Sequence, residues 1–179
     1  MISTSQRSIT IQSWSGDTLA SDPGLTLFQK IMLTTDGTVT ELLSLYCGEP
    51  IVARKLGETL DTTSHAGNPV QVLHRTVLLC TTAGDPCLYA HSHFMFDRFP
   101  ASIQRDLLGT TMPIGLLWRR ERLEMHREII ERKRETDPDV AALLGVPAEA
   151  ELLCRTYRIV HQGETLGTIT EKFAASVVR

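Results

Sequence analysis

Two charged residues sit where strands should be apolar. Arg75 interrupts Val70-Gln-Val-Leu-His-Arg-Thr-Val-Leu-Leu, and Glu171 lies in Thr168-Ile-Thr-Glu-Lys-Phe173, near the end of the last strand pattern. An inward guanidinium has to be paired, because an uncompensated buried charge is strongly destabilising. Two readings are open for each residue. Strand alternation turns half of the side chains outward, so a solvated sheet face accounts for both charges. Turned inward, the same pair lines a pocket for an anionic ligand. Two helix starts, Thr38-Val39-Thr40 and Thr111-Met112-Pro113-Ile114-Gly115, fit the inward reading. Free backbone N–H groups at helix N-termini bind carboxylates, and Arg adds a bidentate partner. Plain capping is the commoner use of such turns.

His91-Ser92-His93 places two imidazoles on one face of a strand, as in some metal sites. No third ligand stands at a recognisable spacing, so the pair reads as satisfied or exposed histidines and no metal is assigned. Cys47, Cys80, Cys87 and Cys154 include no C-x-x-C pair, so free thiols are expected rather than a zinc knuckle or a redox motif. The chain also lacks a P-loop, a G-x-G-x-x-G, an H-E-x-x-H, a G-x-S-x-G and an EF-hand loop. The usual nucleotide and zinc-protease readings lose their support.

The elements that must position these residues are legible in outline. Residues 1–22, rich in Ser, Thr, Gln and Asp, read as a loosely ordered lead-in to one domain over 23–179. Leu25, Phe28, Ile31 and Met32 fall at helical spacing. Thr38-Val-Thr-Glu41 has the form of a capping box for a second helix that stops at Gly48. Ile51–Leu56 reads as a strand ending in a polar, turn-rich stretch from Asp61 to Pro69. Val70–Cys80 and Cys87–Phe96 form a hairpin around Ala83-Gly84-Asp85-Pro86. Short helices are expected at Pro100–Leu108, after Thr111, and at Asp137–Leu144. Arg119–Glu135 leans to strand, and Glu151–Ala174 is a final hairpin turning at His161-Gln162-Gly163-Glu164. Helices come first, then strand pairs interrupted by short helices, without βαβ alternation. The fold class is therefore α+β with a mainly antiparallel sheet.

Composition bounds the function. A chain of 179 residues buries about 70% of its unfolded surface, enough for one domain with an enclosed pocket. With 18 Lys+Arg against 21 Asp+Glu there is no general basic field, so nucleic acid is not an expected partner. No apolar run approaches the ~18 residues of a membrane span and the start lacks a secretory signal, so a cytoplasmic protein is expected.

Several segments together resemble the chorismate pyruvate-lyases, including their divergent cyanobacterial and mycobacterial branch. They are Leu33-Thr-Thr-Asp-Gly-Thr-Val-Thr-Glu-Leu-Leu43 with Gly48-Glu49-Pro50-Ile-Val52; Leu73-His-Arg-Thr-Val-Leu-Leu-Cys80 with Gly84-Asp-Pro86; Pro113-Ile-Gly115; and Arg155-Thr-Tyr-Arg-Ile-Val-His-Gln-Gly-Glu164 running into Ile169-Thr-Glu-Lys-Phe173. The resemblance implies an enzyme that eliminates pyruvate from chorismate to give 4-hydroxybenzoate, a quinone or phenolic precursor, with no metal or organic cofactor. It implies a single domain with an antiparallel sheet of about six strands, its ligand held under helical flaps, as a monomer or small homo-oligomer. By the same resemblance Arg75 and Glu171 are the catalytic pair. Val39, Thr40, Ile114 and Gly115 join them in lining the substrate and product site. The same fold is shared by the UTRA effector-binding domains of bacterial regulators. A stand-alone small-molecule sensor is therefore the alternative function, as is a lyase acting on a related ring substrate.

Overall fold

The computed structural model describes residues 9–65, 67–109, 114–122 and 124–178. Its frame is one seven-stranded sheet in which every neighbouring pair is antiparallel, in the order β1-β5-β6-β7-β4-β3-β2. The strands are β1 (Ile9–Ser13), β2 (Ile51–His65), β3 (Asn68–Thr81), β4 (Pro86–Met95), β5 (His126–Thr136), β6 (Leu152–His161) and β7 (Glu164–Ala174). The helices are α1 (Gly16–Ser21), α2 (Leu27–Thr34), α3 (Val39–Cys47), α4 (Ala101–Gly109), α5 (Ile114–Arg120) and α6 (Pro138–Leu143), with a 3₁₀ turn at Phe96–Arg98. The α+β antiparallel class expected from the sequence is the class observed.

The seventh strand comes from the segment expected to be a loosely ordered lead-in. Residues 1–8 of that segment lie outside the described residues, but 9–21 form β1 and α1. Pairing of β1 with β5, the buried Leu19 of α1 and one aromatic anchor order them. Trp14 is 6% exposed, its indole N–H donates to Asp22 at 2.8 Å, and the Arg134 guanidinium lies 5.0 Å from its ring centroid.

The second correction concerns Asp61 to Pro69. That stretch was expected as a loop, yet β2 continues to His65 and pairs with β3 down to His65↔Asn68. Its polar residues line an exposed two-stranded arm, where ladder hydrogen bonds satisfy the backbone and the side chains face water. The lean toward strand in 119–135 holds over His126–Thr136, while Arg119 and Arg120 end α5. The β6–β7 hairpin turns where expected. Gln162 and Gly163 have φ of 50° and 82°, the left-handed pair that a two-residue type I′ turn requires.

One face of the sheet carries the main core. Leu73, Phe94, Leu153 and Phe173 pack against Met32, Leu33 and Leu43 of α2 and α3 and against Ile103 and Leu107 of α4. Phe99 stacks on Trp118 at 5.3 Å and Phe94 meets both edge-on, which anchors α5 to this face. The opposite face is covered by α6 over Leu78, Cys80, Leu152 and Ala174. No helix among the described residues is long and apolar enough to cross a membrane.

Candidate functional site

The residues of the helix-covered face line up in rows across the strands. One row runs Glu58, Arg75, Ser92, Ile169, Tyr157; the next runs Val77, Ala90, Glu171, Arg155, Arg132. A bulge in β2 between Lys55 and Gly57 brings Glu58 opposite Arg75. Alternation alone then turns all of these side chains toward the helices.

A partly open cavity lies between this floor and the starts of α3 and α5. Val39, Thr40, Arg75, Ile114, Gly115 and Glu171 all line it, so the six positions expected at the site meet in one place. Ser92, Arg127 and Tyr157 line it too, with Val77, Leu79, Ala90 and Ile169 as its apolar part. Thr111, Met112 and Pro113, the first residues of the second expected helix start, lie outside the described residues.

Arg75 is 3% exposed, with its Nε 3.8 Å from Glu58 Oε2. Burial pulls its pKa down and Glu58 opposes that shift. Glu58 also takes Lys55, whose Nζ stands 2.9 Å from Oε2. Glu171 is held from two sides. Arg155 Nε donates to its Oε2 at 2.7 Å, and the Tyr157 hydroxyl donates to its Oε1 at 2.9 Å. Burial, followed by the Glu171 charge, drives the Tyr157 phenol far above its usual range, so it remains a donor at any working pH. Arg155 is 1% exposed, and its Nη1 donates to the Thr35 carbonyl at 2.8 Å, tying the loop before α3 to the sheet. Its Nη2 is buried with no hydrogen-bond partner among the described residues.

The roof departs from the expected capping box. Thr38 is the N-cap of α3 but makes no side-chain cap hydrogen bond, and Glu41 pairs instead with Arg119 of α5. The first-turn N–H groups of α3 are therefore left without that cap, next to the cavity. Gly115 explains how closely the two helix starts approach. A Cβ there would meet the Thr38 methyl at 2.7 Å, too close for any side chain without displacing Thr38. Thr38, Gly115 and Arg127 also border a shallow groove on the outside, so the Thr38–Gly115 contact separates the cavity from that groove.

Arg155, Tyr157 and Arg127 were not singled out from the sequence as site residues. Arg155 did carry the signal that exposed Arg75, a charge following an apolar run, Leu152-Leu-Cys154. Tyr157 carried none, because a phenol on a strand reads as core.

The family model described as chorismate pyruvate-lyase Rv2949c-like matches residues 33–179. The chain belongs to this family. It is 35% identical over 153 residues to a Methanocaldococcus jannaschii protein named "Putative lyase MJ0807", covering 82% of this chain and 77% of that one. It is 23% identical over 161 residues to the chorismate pyruvate-lyase of Mycobacterium tuberculosis, covering 84% and 81% of the two chains. Among solved structures, the effector domain of PhnF from Mycobacterium smegmatis superposes with a TM-score of 0.57 at 16% identity, over 80% of this chain and 91% of that one. A longer PhnF chain gives 0.61 at 14% identity, over 80% of this chain and 66% of that one. The fold that the family shares with regulator effector domains is thus the fold observed here.

Proposed function

We propose that the chain eliminates pyruvate from chorismate to give 4-hydroxybenzoate, with this cavity as its active site. One observation carries this reading: a buried cation, Arg75, and a buried, doubly held carboxylate, Glu171, share one floor with Ser92, Tyr157 and the apolar Val77, Leu79, Ala90 and Ile169, under the open start of α3. Chorismate is a dicarboxylate on a ring, so it needs fixed donors for its oxygens and apolar walls for its carbons.

The reaction demands little covalent work from the protein. The bond between the ring carbon and the ether oxygen breaks as a ring hydrogen departs as a proton, and the ring becomes aromatic. The enolpyruvyl fragment leaves with the bonding pair and becomes pyruvate on taking up a proton. Orientation and charge stabilisation supply the acceleration. Arg75 and the Val39 and Thr40 N–H groups hold the anionic oxygens. Each oxygen of Glu171 accepts one hydrogen bond and retains a lone pair, so the carboxylate can still accept the ring hydroxyl and fix the ring. Ile114 and Ile169 close on its faces.

A second reading, effector binding without turnover, is favoured by the likeness to the PhnF effector domain. Incubation with chorismate alongside a melting scan separates the two. Under the lyase reading chorismate is consumed by the wild-type chain and far more slowly by Arg75→Ala. A melting temperature raised by chorismate or 4-hydroxybenzoate, with no consumption, establishes the effector reading instead.

A further inference from the structure

On the opposite face of the sheet, behind the cavity floor, three histidines converge. β3 and β4 pair His74 with His93 and Thr76 with His91, and residues two apart on one strand share a face. One ring nitrogen from each of His74, His91 and His93 lies within 4.8 Å of the others. His91 Nε2 and His93 Nε2 are 2.7 Å apart. We propose that His74, His91 and His93 bind a divalent transition-metal ion of the zinc type, at a site separate from the lyase cavity.

Several features favour an ion over a simple histidine cluster. At metal–nitrogen bonds of about 2.1 Å, tetrahedral ligands stand about 3.4 Å apart. The His91 and His93 nitrogens at 2.7 Å stand inside that spacing and the His74 nitrogen lies within 4.8 Å of both, so small ring rotations would complete the site. His91 Nδ1 lies 2.9 Å from the Thr76 hydroxyl, the kind of outer hydrogen bond that orients a metal-binding imidazole; in the tautomer whose Nδ1–H donates to Thr76, Nε2 offers its lone pair, and an ion would replace its contact with His93 Nε2. Asp61 Oδ2 stands 3.6 Å from His74 Nε2 but is not among the converging ligand atoms, so water would fill the fourth position. The charge of Lys172 acts on His91, but its Nζ is already taken by Glu135 at 2.5 Å and Asp137 at 2.7 Å. His93 is exposed, which leaves a path for the ion.

The ion's role follows from strand alternation. Arg75 lies between His74 and Thr76, and Ser92 lies between His91 and His93, so a metal on this face pins the two strands that present Arg75 and Ser92 to the cavity.

The test uses the tag-free full chain, stripped with a chelator and titrated with Zn²⁺ by calorimetry and with Co²⁺ by visible absorption. One equivalent should bind with a dissociation constant at or below the micromolar range, and Co²⁺ should give the intense visible bands of a low-coordinate imidazole site. Zn²⁺ should raise the melting temperature, since an ion that binds only the folded state stabilises it. His91→Ala and His93→Gln, confirmed as folded by circular dichroism, should each weaken binding at least about tenfold, and Thr76→Val should weaken it about tenfold. Absence of saturable binding by the wild-type chain overturns the proposal. So does binding unchanged by either histidine variant, since the ion would then sit elsewhere.

Discussion

Arg155 and Glu171 stand opposite each other in the β6–β7 ladder, and Arg155 Nε donates to Glu171 Oε2 at 2.7 Å with both residues buried. The cavity's carboxylate is therefore fixed by the sheet itself. Breaking such a pair strands a charge in the interior, at a cost of about 3–5 kcal/mol. Arg155→Ala should lose stability of that order in urea unfolding. Arg155→Lys should lose less but still misplace Glu171, because one ammonium cannot reach both the carboxylate and the Thr35 carbonyl as the guanidinium fork does.

Arg75 differs from Arg155 in what its loss leaves behind. Its neighbour Glu58 is also paired with Lys55, so Arg75→Ala should remain folded. Turnover of chorismate should fall on the order of 10²–10³-fold, the usual effect of removing one preorganised charge-stabilising donor. A near-normal kcat/KM would exclude Arg75 from the chemistry.

Glu171→Gln separates the roles open to the carboxylate. If Glu171 orients the ring hydroxyl, the amide oxygen still accepts that bond, and KM should rise more than kcat falls. If it relays a proton, kcat should collapse while KM changes little.

The Thr38–Gly115 contact gives a steric prediction. Gly115→Ala places a Cβ against the Thr38 methyl and should lower kcat/KM by pushing the roof of the cavity, while Gly115→Ala paired with Thr38→Ser, which removes that methyl, should recover most of it. The cavity lies directly beneath this contact, so parting of the two helix starts is the expected route for a ring-sized ligand. Release should then limit turnover, visible as a burst of one equivalent of product followed by a slower steady rate.

Asp22 sets an acid limit on the β1–α1 segment. The Trp14 indole first, then the Gly24 N–H, with Arg134 adding its charge, lower its pKa below the ordinary aspartate value. A depressed carboxyl contributes stability that is present above its unfolded pKa of about 3.9 and is lost as pH falls through the folded value. Urea midpoints of the wild-type chain and Asp22→Asn should differ at pH 7, begin to approach each other only below about pH 4, and meet once the pH has passed below the depressed folded value.

How much of this was legible in the sequence depended on whether the signal was local. A charge inside an apolar strand exposed Arg75 and Glu171, and turn chemistry fixed the β6–β7 hairpin. Strand register is not local. His74 joins His91 and His93 only through β3–β4 pairing across a loop, so the sequence showed two imidazoles and hid the third. Asp61 to Pro69 read as a turn-rich loop because side-chain chemistry cannot distinguish a solvated loop from a solvated strand arm. Residues 9–21 read as loose because their order comes from pairing with the distant β5 and from a tryptophan held by Asp22 and Arg134, without any periodic pattern.

The central claim is tested most directly by incubating the purified chain with chorismate and quantifying both products. The account predicts 4-hydroxybenzoate and pyruvate in equal yield, well above the spontaneous background. Chorismate recovered unchanged, or pyruvate formed without 4-hydroxybenzoate, would contradict it.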